Sequence, residues 1–321
     1  MKLGLITNCY RDRTWEETTQ TIRRFGLDAV EPNAGGYFGK THCDPEILLR
    51  DPDAFKRFTD SYLAKDLQLS GLSVHGNPLH PDPRIAAEHK KDTINTIKLA
   101  GKLGSPPVIG FAGCPGAGPD ARYPNWITCP WPSYFEEGIK WQWEKSAIPF
   151  WKEIAKVLRD NGALFAFEMA PGDLVYNPET LLMLRDSVGK EICCNFDPSH
   201  LFYQGIDPLT AVKKLRSLIV HVHAKDAKVD EDIVRWRGAN DWKTYGDVPN
   251  RAWVYRTCGY GHGRLWWNDF VSCLRTVGYD GVISIEHEDT LMTIEEGLQK
   301  AIAFCKEVLI YQGLGVNWWE T

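Results

Sequence analysis

The apolar positions of this chain alternate between two rhythms. Short unbroken runs, bounded by turn or charged residues, read as buried parallel strands. Longer amphipathic stretches of helical length lie between them. The runs predict strands at 3–7, 28–31, 69–74, 107–111, 163–167, 192–196, 218–222 and 282–285. The intervening stretches predict helices at about 14–25, 53–65, 84–103, 136–160 with a break near Pro149, 178–187, 208–215, 266–277 and 294–310. Thr14-Trp15-Glu16-Glu17 has capping-box spacing, and Gly26 stops the helix that it opens.

Eight strands, each followed by a helix, predict an α/β fold. The pattern is that of a single (β/α)₈ TIM barrel over 1–321, with extended βα loops after strands 4 and 7. The first loop, 112–132, holds Tyr123, Trp126, Ile127 and Trp131, which predicts a packed loop and not a bare linker; the second, 224–263, carries Trp236 and Trp242 among several charges. An open doubly wound sheet is the rival, but no G-x-G-x-x-G follows the first strand.

Four successive strands end in one metal-ligand type each: Glu168, Asp197, His223 and Glu286. In a barrel such ends converge on one mouth, so the set reads as one oxygen-rich metal site with a single nitrogen. Mn²⁺ suits it first, with Mg²⁺, Co²⁺ or Zn²⁺ as alternatives. A closed structural zinc site would use Cys and His instead. Taken singly, each of the four reads better as a strand-end residue capping a helix or pairing with Arg; their succession favours the metal. His221 and His223 share one strand face, so one can ligate while the other sits in the core beside it.

Composition narrows the partners. A net charge of -5 gives no reason to expect nucleic acid, since phosphate-backbone affinity comes from clustered Lys and Arg. No apolar run reaches membrane-spanning length, and the opening residues are too soon interrupted for a secretory signal. Nine scattered cysteines without a C-x-x-C pair predict reduced thiols in a cytoplasmic protein, with Cys193 and Cys194 buried in a strand. The tail, with Trp318 and Trp319, is expected to dock on this chain, on a second copy or on a partner subunit.

Five motifs carry a family resemblance: Phe167-Glu168-Met169, Asn195-Phe196-Asp197-Pro198-Ser199-His200, His221-Val222-His223-Ala224-Lys225-Asp226, Gly261-His262-Gly263 and Ile285-Glu286-His287-Glu288-Asp289. Together they resemble the xylose-isomerase-like TIM barrels, a superfamily of sugar isomerases and epimerases, inosose dehydratases, C-glycoside deglycosidase subunits and AP-endonuclease-type enzymes. The resemblance implies metal ligation by Glu168, Asp197, His223 and Glu286, an acid/base pair of Glu168 and Glu286, and substrate binding by His200. It implies proton abstraction next to a carbonyl of a free, oxidised or glycosidic sugar, through an enediolate.

Other substrate contacts follow from position. His75 ends the third strand and points at the mouth, whereas His80 reads as a surface histidine. Lys225 either holds a substrate oxygen or pairs with Asp226, and His262 stands between glycines that let backbone approach a ligand. Trp126 and the other loop tryptophans are ring platforms or loop packing. Basic residues do not cluster as for a sugar phosphate.

Three rivals remain. The first is a lyase expelling an aglycone from a 3-oxo-glycoside. The second is an AP-endonuclease-type nuclease, disfavoured because the fourth strand ends without His and no Asp-x-His stands at Gly261-His262-Gly263. The third is a barrel that only binds or scaffolds.

Overall fold

The computed structural model describes residues 1–315, 317 and 319. Trp318 of the aromatic tail lies outside them, and Trp319 is exposed. In chain order the strands are β1 Lys2–Ile6, β2 Ala29–Glu31, β3 Gln68–Leu69, β4 Leu72–Ser73, β5 Val108–Gly110, β6 Phe165–Glu168, β7 Ile192–Phe196, β8 Ile219–Ala224, β9 Asp226–Val229, β10 Trp253–Arg256 and β11 Val282–Ile285. Nine of them form one parallel sheet in the order β3-β2-β1-β11-β8-β7-β6-β5-β4.

The third expected strand is interrupted, and the interruption closes the ring. Its first piece, β3, pairs with β2, and its second, β4, pairs with β5. At the joint, Ser70 N donates to Val30 O and Leu72 N donates to Pro107 O, so hydrogen bonding passes from one neighbour to the other. Gly71 permits the handover: a Cβ there would stand 2.4 Å from Ile109 Cδ1. The fold is therefore the expected barrel of eight strands, one of them in two pieces.

Strand parity decides what faces inward. Phe165 and Phe167 turn outward onto Trp151 of helix Ile148–Asp160, with ring centroids 4.8 and 4.6 Å away. Phe196 likewise faces Phe270 of helix Arg264–Thr276 at 5.8 Å. Burying each such ring stabilises the fold by about 1.5–3 kcal/mol. Alternation then sends Glu168, Asn195, Asp197, His221, His223, Ser284 and Glu286 toward the interior, all buried.

The two long loops differ from a simple irregular reading. Within 224–263, β9 and β10 pair as an antiparallel ribbon, with helix Glu231–Arg237 between them. The expected 136–160 helix starts earlier and breaks earlier than Pro149. It runs Ser133–Trp141, then a π turn Gln142–Ala147, then Ile148–Asp160. Pro149 lies in the first turn of the last piece, where its missing N–H costs least, and the widened turn absorbs the clash of its ring. Gln142 opens that turn and donates to Asn125 O at 2.6 Å and Gly116 O at 3.2 Å, tying down the 112–132 loop. A short helix, Pro45–Arg50, is not apparent from the apolar pattern. Among the described residues no helix is long and apolar enough to cross a membrane, and all nine cysteines are free, with Cys193 and Cys194 buried as expected.

Candidate metal and active site

The four expected ligands meet at the C-terminal mouth. Glu168 ends β6, Asp197 follows β7, His223 lies near the end of β8 and Glu286 follows β11, on four neighbouring strands. One ligand atom from each lies within 4.8 Å of the others. His223 Nδ1 is 3.0 Å from Glu168 Oε2 and 3.3 Å from Glu286 Oε2. Asp197 Oδ1 accepts from Ser199 N at 2.8 Å, whereas its buried Oδ2 has no hydrogen-bond partner among the described residues. Lys225 Nζ stands 3.1 Å from that oxygen, close enough for charge but outside hydrogen-bond geometry. Three carboxylates, one imidazole and an unclaimed buried oxygen aimed at them fit a hard or borderline divalent cation.

The electrostatics follow from crowding. Burial by itself would push Glu168 up, but His75, His223 and His200 outweigh it and hold the carboxyl well below its ordinary range. Glu286 is brought down to about 2 against the same burial, by Lys225 and His223. Lys225 is raised well above a free lysine, because Asp197, Glu286 and Glu288 together overcome its desolvation. Its Nζ donates to Glu286 Oε2 at 2.7 Å and to Glu288 Oε2 at 3.1 Å, so its partner is not Asp226.

A cavity of about 390 Å³ opens above this cluster. His75 and His200 line it, with His75 Nε2 3.2 Å from Glu168 Oε2 and His200 Nε2 2.9 Å from Glu168 Oε1. Phe38 and Phe111 form one wall, and Tyr203, Tyr245 and Tyr255 another. Tyr255 comes from the ribbon strand β10; its Oη is 3.1 Å from His200 Nδ1, and Lys225 Nζ sits 4.7 Å from its ring centre. The loop before helix Pro45–Arg50 brings in Phe38. It can do so because Gly36 adopts φ 71° where a Cβ would fall 1.9 Å from His75 O.

Two expected contacts are not brought to this cavity. His262 stacks on Phe202 at 3.7 Å, and its Nδ1 is 2.8 Å from Asp226 Oδ1. The flanking glycines serve Asp226 and not a ligand: its carboxylate accepts from Gly259 N, Gly261 N and His262 N. Trp126 packs edge-on against Tyr176 at 5.2 Å, outside the lining. Trp131, Trp236 and Trp242 are exposed and do not line the cavity either.

Several residues at the site escape the sequence reading. Asp173, half-buried in the cavity wall, is pushed up to about 7 by burial. Glu288 lines the cavity two residues beyond Glu286, just past the end of β11, a spacing that was visible in the sequence. Glu31 ends β2 in the same way that Glu168 ends β6. It is fully buried, with Oε1 3.1 Å from His223 Nε2. Tyr203 and Tyr245 carry no such signal, since they lie in turns without periodicity, and Tyr255 sits in a ribbon strand within the long 224–263 segment.

The chain is similar to known proteins over most of its length. A family model described as xylose isomerase-like TIM barrel matches residues 20–308. The uncharacterized protein YfiH of Bacillus subtilis (strain 168) is 36% identical over 312 residues, 96% of this chain and 99% of that one. Inosose dehydratase 2 of Bacillus cereus is 27% identical over 169 residues, 52% of this chain and 54% of that one. Among solved structures, the 3-keto-D-glucoside 4-epimerase YcjR from E. coli superposes with a TM-score of 0.66 at 13% identity. That match covers 96% of this chain and 99% of that one, a likeness of fold.

Proposed function

Because the chain belongs to the xylose isomerase-like TIM barrel family, we propose that it is a divalent-metal-dependent sugar isomerase or epimerase. It acts by moving a proton next to a carbonyl. The observation that carries this reading is the convergence of Glu168, Asp197, His223 and Glu286 beneath one cavity, with ligand atoms within 4.8 Å of one another. These four residues would hold the ion, with Mn²⁺ the best match to the donor set. When bound, the ion supplies a Lewis acid for the substrate carbonyl.

The chain's own residues supply the rest. Glu168 and Glu286 come from non-adjacent strands, so they can flank a substrate and exchange its proton from opposite sides. Both carboxyls are held ionised, which suits a base. His200 and His75, each beside Glu168, are placed to hold substrate hydroxyls and to fix that carboxylate's orientation. Lys225 presents a permanent positive charge beside Glu286, where an enediolate oxygen would gain from it. The aromatic walls exclude water and offer ring faces to a sugar.

Metal analysis of the purified protein, followed by proton NMR in D₂O with candidate oxidised sugars, tests this. Metal-dependent deuterium wash-in next to the carbonyl is expected, and Glu168→Gln and Glu286→Gln should each lower it by about 10²–10⁴-fold. A metal-free protein indifferent to chelator, or an active Gln variant at both positions, would refute the reading.

One observation favours a second reading, elimination from a 3-oxo-glycoside. Asp173 faces the same cavity, and burial pushes its carboxyl up to about 7, which makes it a proton donor for a leaving group. Release of the aglycone, in place of wash-in without release, would decide for it.

A further inference from the structure

Glu31 has no part in the proton transfer just described, yet it is a carboxylate at 0% exposure inside the barrel. Burying such a group is costly unless it is fully partnered. Its partners are specific. Ser73 Oγ donates to Oε1, and His223 Nε2 lies 3.1 Å from Oε1 and 3.3 Å from Oε2. His221 Nε2 lies 3.3 Å from Oε2.

An imidazole can meet a carboxylate on one side and a metal ion on the other only in one tautomer. When Nε2–H donates its hydrogen bond to Glu31, the lone pair of the neutral ring is on Nδ1. That nitrogen faces Glu168 Oε2 at 3.0 Å and Glu286 Oε2 at 3.3 Å, two carboxylate oxygens with which it could share a cation, while Asn195 Nδ2 stands 3.3 Å from it. Asn195 braces the arrangement from below: its Nδ2 donates to Glu168 Oε2 at 2.8 Å, and its Oδ1 lies 2.8 Å from His221 Nδ1. Glu31 and His223 come from β2 and β8, so the contact spans the barrel interior.

The geometry points to Glu31 as a positioning residue: it holds the Nε2 proton of His223 and so aims Nδ1 at the metal site. The inference rests on the metal reading above. Carboxylate–imidazole pairs of this kind typically change metal affinity by about 10–100-fold when broken. Ser73, through its hydrogen bond to Glu31, supports the carboxylate in turn.

The test uses the full chain. Long-range ¹⁵N–¹H NMR of the ¹⁵N-histidine-labelled wild type loaded with Zn²⁺ should show His223 protonated at Nε2 and metallated at Nδ1. Metal bound through Nε2 would overturn the inference, and this measurement needs no variant to fold. Glu31→Gln should bind Co²⁺ about 10–100-fold more weakly in chelator competition, with an altered visible spectrum. Ser73→Ala should shift affinity in the same direction by less. Unchanged affinity and spectrum in Glu31→Gln would refute the role of Glu31 alone. A stoichiometry of two ions in the wild type, falling to one in Glu31→Gln, would also refute it, since Glu31, His221 and His223 would then be ligands of a second ion. A wild type that binds no divalent ion would overturn the metal reading and this role together.

Discussion

Removing the Asp226 carboxylate should cost this protein more than removing any single pair on its surface. Asp226 is fully buried, and its two oxygens accept six hydrogen bonds. Oδ1 takes Ala227 N at 2.9 Å and His262 Nδ1 at 2.8 Å. Oδ2 takes Gly259 N, Gly261 N, His262 N and Trp267 Nε1 at 3.2, 3.1, 2.9 and 3.3 Å. In Asp226→Ala the donors of Gly259, Gly261 and His262 can turn to water, because those residues are only half-buried. Ala227 N and Trp267 Nε1 cannot, because both residues are buried, and each stranded donor costs about 1–3 kcal/mol. The sum is about 2–6 kcal/mol, which brackets the range for breaking a buried charged network. At about 2 °C per kcal/mol for a domain of this size, the melting temperature should fall by about 4–12 °C. Differential scanning calorimetry of wild type, Asp226→Ala and Asp226→Asn at fixed metal concentration measures it. Limited proteolysis should open the chain first around residues 257–263. A midpoint within about 1 °C of wild type for Asp226→Ala would refute the reasoning, since the six bonds would then carry no net stability.

Two further outcomes can be measured directly. Burial raises the folded pKa of Asp173 to about 7 from an ordinary value of 3.8, so the unfolded chain ionises first and stability falls as pH rises from about 4 to 7. Asp173→Asn should remove that part of the slope, seen as a urea-midpoint gain over wild type at about pH 8 that vanishes near about pH 4; an equal gain at both would argue against it. Gly36→Ala should destabilise the fold and raise KM together, because the new methyl must push against His75 O from a φ that L-residues disfavour. Kinetics and melting curves indistinguishable from wild type would count against the proposed fit of the Phe38 loop.

The barrel and the convergence of Glu168, Asp197, His223 and Glu286 were legible because two periodicities coincide. Runs such as 163–167 are short, apolar and outward-packed on every second residue, so a charged residue at their end had to emerge at the mouth. Glu31 obeys the same rule, but its strand is three residues long, and nothing in so brief a run marks its end as different from a turn. His262 lies outside the cavity for a physical reason. Glycines that admit a ligand and glycines that admit a carboxylate from the same chain look identical in sequence, and Asp226 is the occupant here. The ribbon of β9 and β10 was hidden because it pairs residues as distant along the chain as Asp226 and Arg256, across a helix, which local pattern does not record. The break at 142–147 fell near Pro149 but not on it, because a helix adjusts to a proline in the turn before the ring.

That π turn has a consequence for the history of the chain. A π turn is an α-helix carrying one residue too many, and each residue advances a helix by about 100°. Deleting any one residue within 142–147 would let the segment rewind to an unbroken helix. It would also swing Gln142 away from Gly116 O and Asn125 O. A relative one residue shorter at this point should therefore carry a 112–132 loop of different shape. The length of a helix on the outside of the barrel and the form of a loop at its mouth are thus coupled through one side chain.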